Sequence, residues 1–170
     1  MAGSVLSIKT IKPQKMKIDE VRLELLNALR AEAKDTIAEY KKTVATWRNP
    51  PEFTEAISLA GGDASVLVTP DGPHRKQFEY VDLGTVPHII RPVRATILRF
   101  RTGYSAKTSP GVIGSTGGGA SGDVVYRPQV FHPGTEARRF SEIIQQRRKD
   151  KYRERILGAM RRGMEKANGE

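Results

Sequence analysis

Phe131-His132-Pro133-Gly134-Thr135-Glu136-Ala137-Arg138-Arg139-Phe140 decides how this chain is read. Pro133 fixes its own backbone angle and Gly134 tolerates the conformations other residues avoid, so the chain reverses direction here. Thr135 reads as a helix N-cap, with Glu136 behind it at the end where the helix dipole favours an acid. The turn therefore empties into a long basic helix, expected over about 136–167. Upstream, Glu79-Tyr80-Val81-Asp82-Leu83-Gly84-Thr85 reads as a strand that ends in a Gly-Thr turn.

Working outward, the strongest periodic signal lies over about Ile18 to Trp47. Val21, Leu25, Leu29, Ala33, Ile37, Tyr40, Val44 and Trp47 recur three and four apart, which lays one apolar stripe along a helix. Asp19 and Glu20 suit its first turn, and Pro50-Pro51 stops it. Between the two helices the pattern turns to strands. Phe53 to Leu59 alternates, Gly61-Gly62-Asp63 turns, and Ala64 to Thr69 returns. Pro70 to Pro73 is a second turn, Lys76 to Leu83 a further strand, and Val86 to Val93 an edge segment bent around Pro87 and Pro92. Arg94 to Arg101 alternates, with Arg99 on one face and Leu98 and Phe100 on the other. Val124 to Phe131 resumes the sheet after a glycine-rich loop over 102–123, which offers little that can pack.

The expected fold is α+β: an antiparallel β-sheet flanked by a long N-terminal helix and a C-terminal helix, with a long Gly-rich loop. Three parts are expected: an extended arm over 1–17, a central domain over 18–145, and a basic helical extension over 146–170. In the last part Gln145 to Lys151 lacks any apolar residue, which suggests a helix section projecting beyond the domain. Phe140, Ile144, Ile156, Met160 and Met164 are the expected apolar face, and Gly158 and Gly163 weaken its end.

Composition narrows the chemistry. The 170 residues include no cysteine, which excludes disulfides and thiol chemistry. No apolar run approaches the roughly 20 residues of a membrane helix, and Met1 to Ile11 lacks the apolar stretch of a secretory signal. No membrane partner is expected, and assembly in the cytoplasm is. The formal charge is +10. It runs +4 over residues 1–17, −4 over 18–83, +5 over 84–135 and +5 over 136–170. A basic second half suggests a polyanion or an acidic protein partner.

Catalytic patterns are missing. No Gly-Lys-Ser/Thr follows the glycine-rich loop, as a phosphate cradle needs. His74, His88 and His132 sit in separate turns without ligand spacing, and His132 is expected to bond within its own turn. Ser115 and Ser121 stand in no nucleophile elbow. Neither an enzyme nor a cofactor is expected. Arg147, Arg148, Lys149 and Lys151, continued by Arg153 and Arg155, form a basic segment that faces either DNA phosphates or an acidic partner. The plainer alternative is a solvated helix face with pairs such as Asp150 with Arg153 and Glu154 with Arg147.

Three stretches together resemble a known family. Tyr80-Val81-Asp82-Leu83-Gly84-Thr85 resembles the valine-glutamate-phenylalanine-glycine-threonine strand end of a neck and tail-component family of long-tailed bacteriophages. His88 to Ala95 followed by Leu98-Arg99-Phe100 resembles its next segment. Val124-Val125-Tyr126, His132-Pro133-Gly134-Thr135 and Ala137-Arg138-Arg139-Phe140 resemble its closing signature. Asp82 and Leu83 stand where the family has Glu and Phe, and Arg139 where it often has proline. The resemblance spans residues 18–145 and implies a non-enzymatic virion protein: a tail-completion, tail-terminator or head–tail joining subunit. It implies a homo-oligomeric, hexameric ring meeting a portal-adaptor or head-completion protein on one side and the tail tube or a tail terminator protein on the other. Double-stranded DNA would pass through its channel. Tyr80, Gly84, Thr85, Arg99, Arg101, His132, Pro133, Gly134 and Phe140 become the expected subunit or partner contacts. The alternative is a non-specific nucleic-acid-binding protein that uses the basic C-terminal helix.

Overall fold

The computed structural model describes residues 18–60, 63–114 and 117–169. The expected arm over 1–17 and the tip of the Gly61-Gly62 turn lie outside these residues. The fold is α+β. In chain order it runs α1 (Ile18–Val44), β1 (Glu52–Ala60), β2 (Asp63–Asp71), α2 (Arg75–Leu83), β3 (His88–Ile90), β4 (Leu98–Arg101), β5 (Val124–Arg127), β6 (Val130–His132) and α3 (Phe140–Asn168). Among the described residues the strands form three separate two-stranded antiparallel pairs, β1–β2, β3–β6 and β4–β5, rather than one sheet.

Helix α1 forms on the expected stripe. Leu29, Ala33, Tyr40 and Val44 are buried, and Val21, Leu25, Ile37 and Trp47 are half-buried. Hairpin β1–β2 pairs Glu52 with Asp71 through to Ala60 with Asp63, as the alternation required. The strand expected over Lys76 to Leu83 is instead helix α2. Phe78 and Asp82, four apart, both turn inward on a helix, and both are buried. Arg75 and Glu79 pair at 3.2 Å on the outer face.

The core is aromatic. Phe78 is its hub: its ring meets Phe53 at 5.4 Å, Tyr40 at 5.7 Å, Phe140 at 6.1 Å and Trp47 at 6.3 Å between centroids. Val44 and Ile144 complete the cluster. Such offset and edge-on ring pairs add to plain area burial. Burial pushes the Tyr40 hydroxyl's pKa up, against a hydrogen bond with Ser141 that lowers it.

Helix α3 runs unbroken across residue 145, the expected boundary, as far as Asn168. The segment does not project. The helix lies along α1 with Phe140, Ile144, Arg148, Ala159, Gly163 and Ala167 inward, while Met160 and Met164 are exposed. Gly163 is a point of closest approach: a Cβ there would sit 2.5 Å from the Val21 Cα. The glycine that seemed to weaken the helix lets the two backbones meet.

The glycine-rich loop also differs from expectation. Beyond β4–β5 its two limbs stay paired. Thr102 N–H donates to Asp123 O at 3.0 Å, Ser105 N–H to Gly119 O at 2.9 Å, and Tyr104 bridges Ala120. At the turn Gly111 N–H donates to Arg138 O at 3.3 Å, Ile113 packs against the core and Thr108 is buried.

Candidate interaction surface

The stretches singled out in the sequence meet in space. Thr85 N–H donates to Thr135 O at 2.9 Å, and Thr135 N–H returns to Thr85 O at 3.1 Å. The clasp needs glycine on each side. Gly84 has φ +79°, and a Cβ on it would stand 2.6 Å from Thr135 O; Gly134 has φ +96°, and a Cβ there would collide with Thr85 O. Below the clasp, Val81 O accepts from Arg138 N–H and Asp82 O from Arg139 N–H, each at 3.0 Å. Asp82 then caps α3, since its carboxylate accepts from Ser141 N–H at 3.1 Å and Ser141 Oγ–H at 2.6 Å. An acid at this helix start offsets orphan donors and the dipole, which the Thr135 cap expected from sequence does not do. Arg139, the residue before the helix, takes a left-handed φ of 55°.

This geometry re-sorts the expected contact residues. Gly84, Thr85 and Gly134 build the internal clasp, and Phe140 is fully buried in the core, so it offers nothing to a neighbour. His132 acts within its turn, its Nδ1 accepting from Gly134 N–H at 3.0 Å, and its ring stacks on His88 at 5.1 Å. Tyr80, Pro133, Arg99 and Arg101 remain exposed. Arg99 Nε–H donates to Tyr126 Oη across β4–β5 at 3.3 Å.

Around the clasp a ribbon of β3 and β6 is exposed on the Ile89–Phe131 face, while on the other face Val130 and His132 are half-buried. Ile89 pairs with Phe131 on one face, and His88 with His132 and Ile90 with Val130 on the other. Phe131 is 68% exposed, Leu83 75%, Val86 77% and Val93 95%. An isolated two-stranded ribbon is marginal in water, and contiguous exposed apolar groups mark interaction surfaces.

Of the basic segment, Arg148 is withdrawn from solvent and is corrected from a DNA- or partner-facing residue to a buried one. Its guanidinium grips Glu32 at 2.5 and 3.0 Å and Asp35 at 3.1 Å. Arg155 joins the same acids at 2.8 and 2.7 Å. Further along, Arg162 and Lys166 hold Glu24 at 3.1 and 2.6 Å. These pairs, not those foreseen within α3, use its charge. Arg147, Lys149 and Lys151 stay exposed and join no ion pair among the described residues. Sequence reasoning missed Glu24 and Glu32, which sit inward on α1. The readable signal was the seven-residue spacing of Arg148, Arg155 and Arg162, which repeats a cation on one helix face.

The hydrogen bond from Lys166, then that from Arg162, holds the Glu24 carboxyl below its ordinary pKa; Arg155 does the same for Asp35. A carboxylate with a depressed folded pKa adds stability above its unfolded pKa and loses it as pH falls through the folded one. The contact of α1 with α3 is therefore expected to hold at neutral pH and weaken below about pH 4. Thermal unfolding followed by circular dichroism across pH 2–7 checks this (an acid range set by carboxylate pKa values of about 4). Glu24→Gln with Asp35→Asn should flatten the acid slope.

No family model, curated protein or solved structure matches the chain. Among the described residues no helix is long and apolar enough to cross a membrane.

Proposed function

We propose that this protein is a structural virion subunit of a long-tailed bacteriophage neck. In this reading copies close into a hexameric ring that completes or terminates the tail and joins it to the head. The supporting observation is the β3–β6 ribbon, whose Ile89 and Phe131 stand exposed in water, with Leu83 and Val86 exposed in the chain that leads into it. A neighbouring copy would cover it, and a closed ring leaves no ribbon uncovered. The sequence motifs that resemble the neck family include the stretches that form the clasp and this ribbon, and the others form the β4–β5 pair. The proposal includes a portal-adaptor or head-completion protein and a tail tube or terminator as axial partners, and double-stranded DNA in the channel. It assigns no catalytic activity.

Tyr80 on α2, Pro133 next to the ribbon, and Arg99 and Arg101 on β4 are the remaining contact residues in this reading. Ile89→Asp with Phe131→Asp is expected to abolish assembly in sedimentation velocity. Monomer stability should move by no more than about 1 kcal/mol, because both side chains are exposed and the two carboxylates repel only across the ribbon where they stand opposite each other. Unchanged sedimentation would count against the ribbon as the ring contact.

A second reading, non-specific nucleic-acid binding, is favoured by the exposed Arg147, Lys149 and Lys151 on α3. It requires affinity that falls with salt at a logarithmic slope of about −0.9 per phosphate contacted. Reversing Arg147 and Lys149 should then lower that slope, and should leave ring assembly untouched.

A further inference from the structure

The register of β4 with β5 decides what surrounds Arg99 and Arg101. Directly opposite residues of an antiparallel pair share a face. Leu98 with Arg127 and Phe100 with Val125 make one face, on which Leu98 and Val125 are half-buried. Arg99 with Tyr126 and Arg101 with Val124 make the other. There both arginines are exposed, and Tyr126 beside them is 52% exposed. Tyr126 Oη accepts from Arg99 Nε–H at 3.3 Å. That bond orients the guanidinium and leaves its two terminal NH2 groups for another acceptor.

The charge around this face is one-sided. Between Gly84 and Thr135 the cations Arg91, Arg94, Arg99, Arg101, Lys107 and Arg127 stand against a single acid, Asp123. Among the described residues none of the five arginines joins an ion pair. Helix α3 differs. Its Arg148, Arg155 and Arg162 pair with acids of α1. Its exposed Arg147, Lys149 and Lys151 are interleaved with exposed Asp150 and Glu154, which offset part of their field. Guanidinium forks suit phosphate oxygens, and an exposed aromatic ring among cations suits nucleobases, each of which has a face to stack. A carboxylate surface would engage the forks and offer the ring nothing to stack on.

We propose that the face of β4–β5 formed by Arg99, Arg101 and Tyr126 binds nucleic acid through its phosphate backbone. Arg99 and Arg101 lie two residues apart, about 6.8 Å along the strand, and engage separate phosphates. Tyr126 positions Arg99 and, on a single strand, also carries a stacked base. The face is complete within one protomer, so the site depends on neither the ring nor α3.

Fluorescence anisotropy of the full chain with a short labelled single strand and the matching duplex, over a range of salt, tests it. Arg99→Gln with Arg101→Gln should weaken binding at least about 10-fold at low salt. The logarithmic salt slope should fall by about 1.8 on the duplex or about 1.4 on the single strand, for two contacts at roughly 0.9 or 0.7 each. Both side chains are exposed, so the melting temperature should stay unchanged. Tyr126→Phe loses the bond to Arg99 and keeps the ring. It should weaken binding about 3-fold with the slope unchanged. Tyr126→Ala separates the two sources of phosphate. A further loss of about 5-fold or more on the single strand alone marks stacked bases, and equal losses on both mark duplex phosphates; either supports the proposal. No binding at low salt would overturn it and leave these arginines to an acidic protein. Binding unchanged by the Arg99, Arg101 variant and lost in Arg147→Gln with Lys149→Gln would overturn it in favour of α3.

Discussion

Glu32→Ala is expected to destabilise the protein by about 3–5 kcal/mol, the usual cost of removing one partner from a buried ion pair. Glu32 is 2% exposed and its carboxylate serves both Arg148 and Arg155. Without it, two guanidinium groups share Asp35, whose side chain is 46% exposed. Arg148, itself only 8% exposed, cannot recover its lost partner from water. Asp35→Ala should cost far less, under about 1 kcal/mol, because an exposed pair is screened. Urea unfolding followed by circular dichroism measures both. Replacing the buried partners together, Glu32→Leu with Arg148→Met, should return most of the loss, since desolvating the pair was costly to begin with. Equal effects of the Glu32 and Asp35 variants would show that burial of Glu32 is not what makes it matter.

Phe78→Ala is the other large effect, an expected loss of about 3–5 kcal/mol. Phe78 is 1% exposed and touches four other aromatic rings from α1, β1, the turn after α1 and the start of α3. Truncating it opens a cavity that rings fixed by three elements cannot collapse into. The melting temperature should fall by roughly 2–4 °C for each kcal/mol lost. Phe131→Ala provides the contrast: at 68% exposed it should leave the protomer's melting temperature nearly unchanged and affect only assembly.

How far each feature was legible depends on whether local pattern or distant partner decides it. Helix α1 and hairpin β1–β2 were legible because the stripe from Val21 to Trp47 and the alternation around Gly61-Gly62 admit one period each. Helix α2 was not. In Gln77-Phe78-Glu79-Tyr80-Val81-Asp82 a strand face (Phe78, Tyr80, Asp82) and a helix face (Phe78, Asp82) are both available. What chose the helix lies elsewhere: the ring cluster that takes Phe78 and the start of α3 that takes Asp82. Glu24 and Glu32 look like surface acids from α1 alone, and only α3 makes them interior. The clasp residues were found, but their role differs. Gly84 and Gly134 are spaced for each other, because each leaves room for the backbone opposite. A local sequence signal marked them as important and gave no information on whether the partner strand came from the same molecule.

Ring formation is the central claim, and negative-stain imaging of the purified full chain, alone and mixed with tail tubes or packaged heads, tests it most directly. The account predicts closed rings, or a cap on one end of the tube, that vanish in the Ile89→Asp, Phe131→Asp variant. A folded monomer at every concentration that joins neither particle would contradict it.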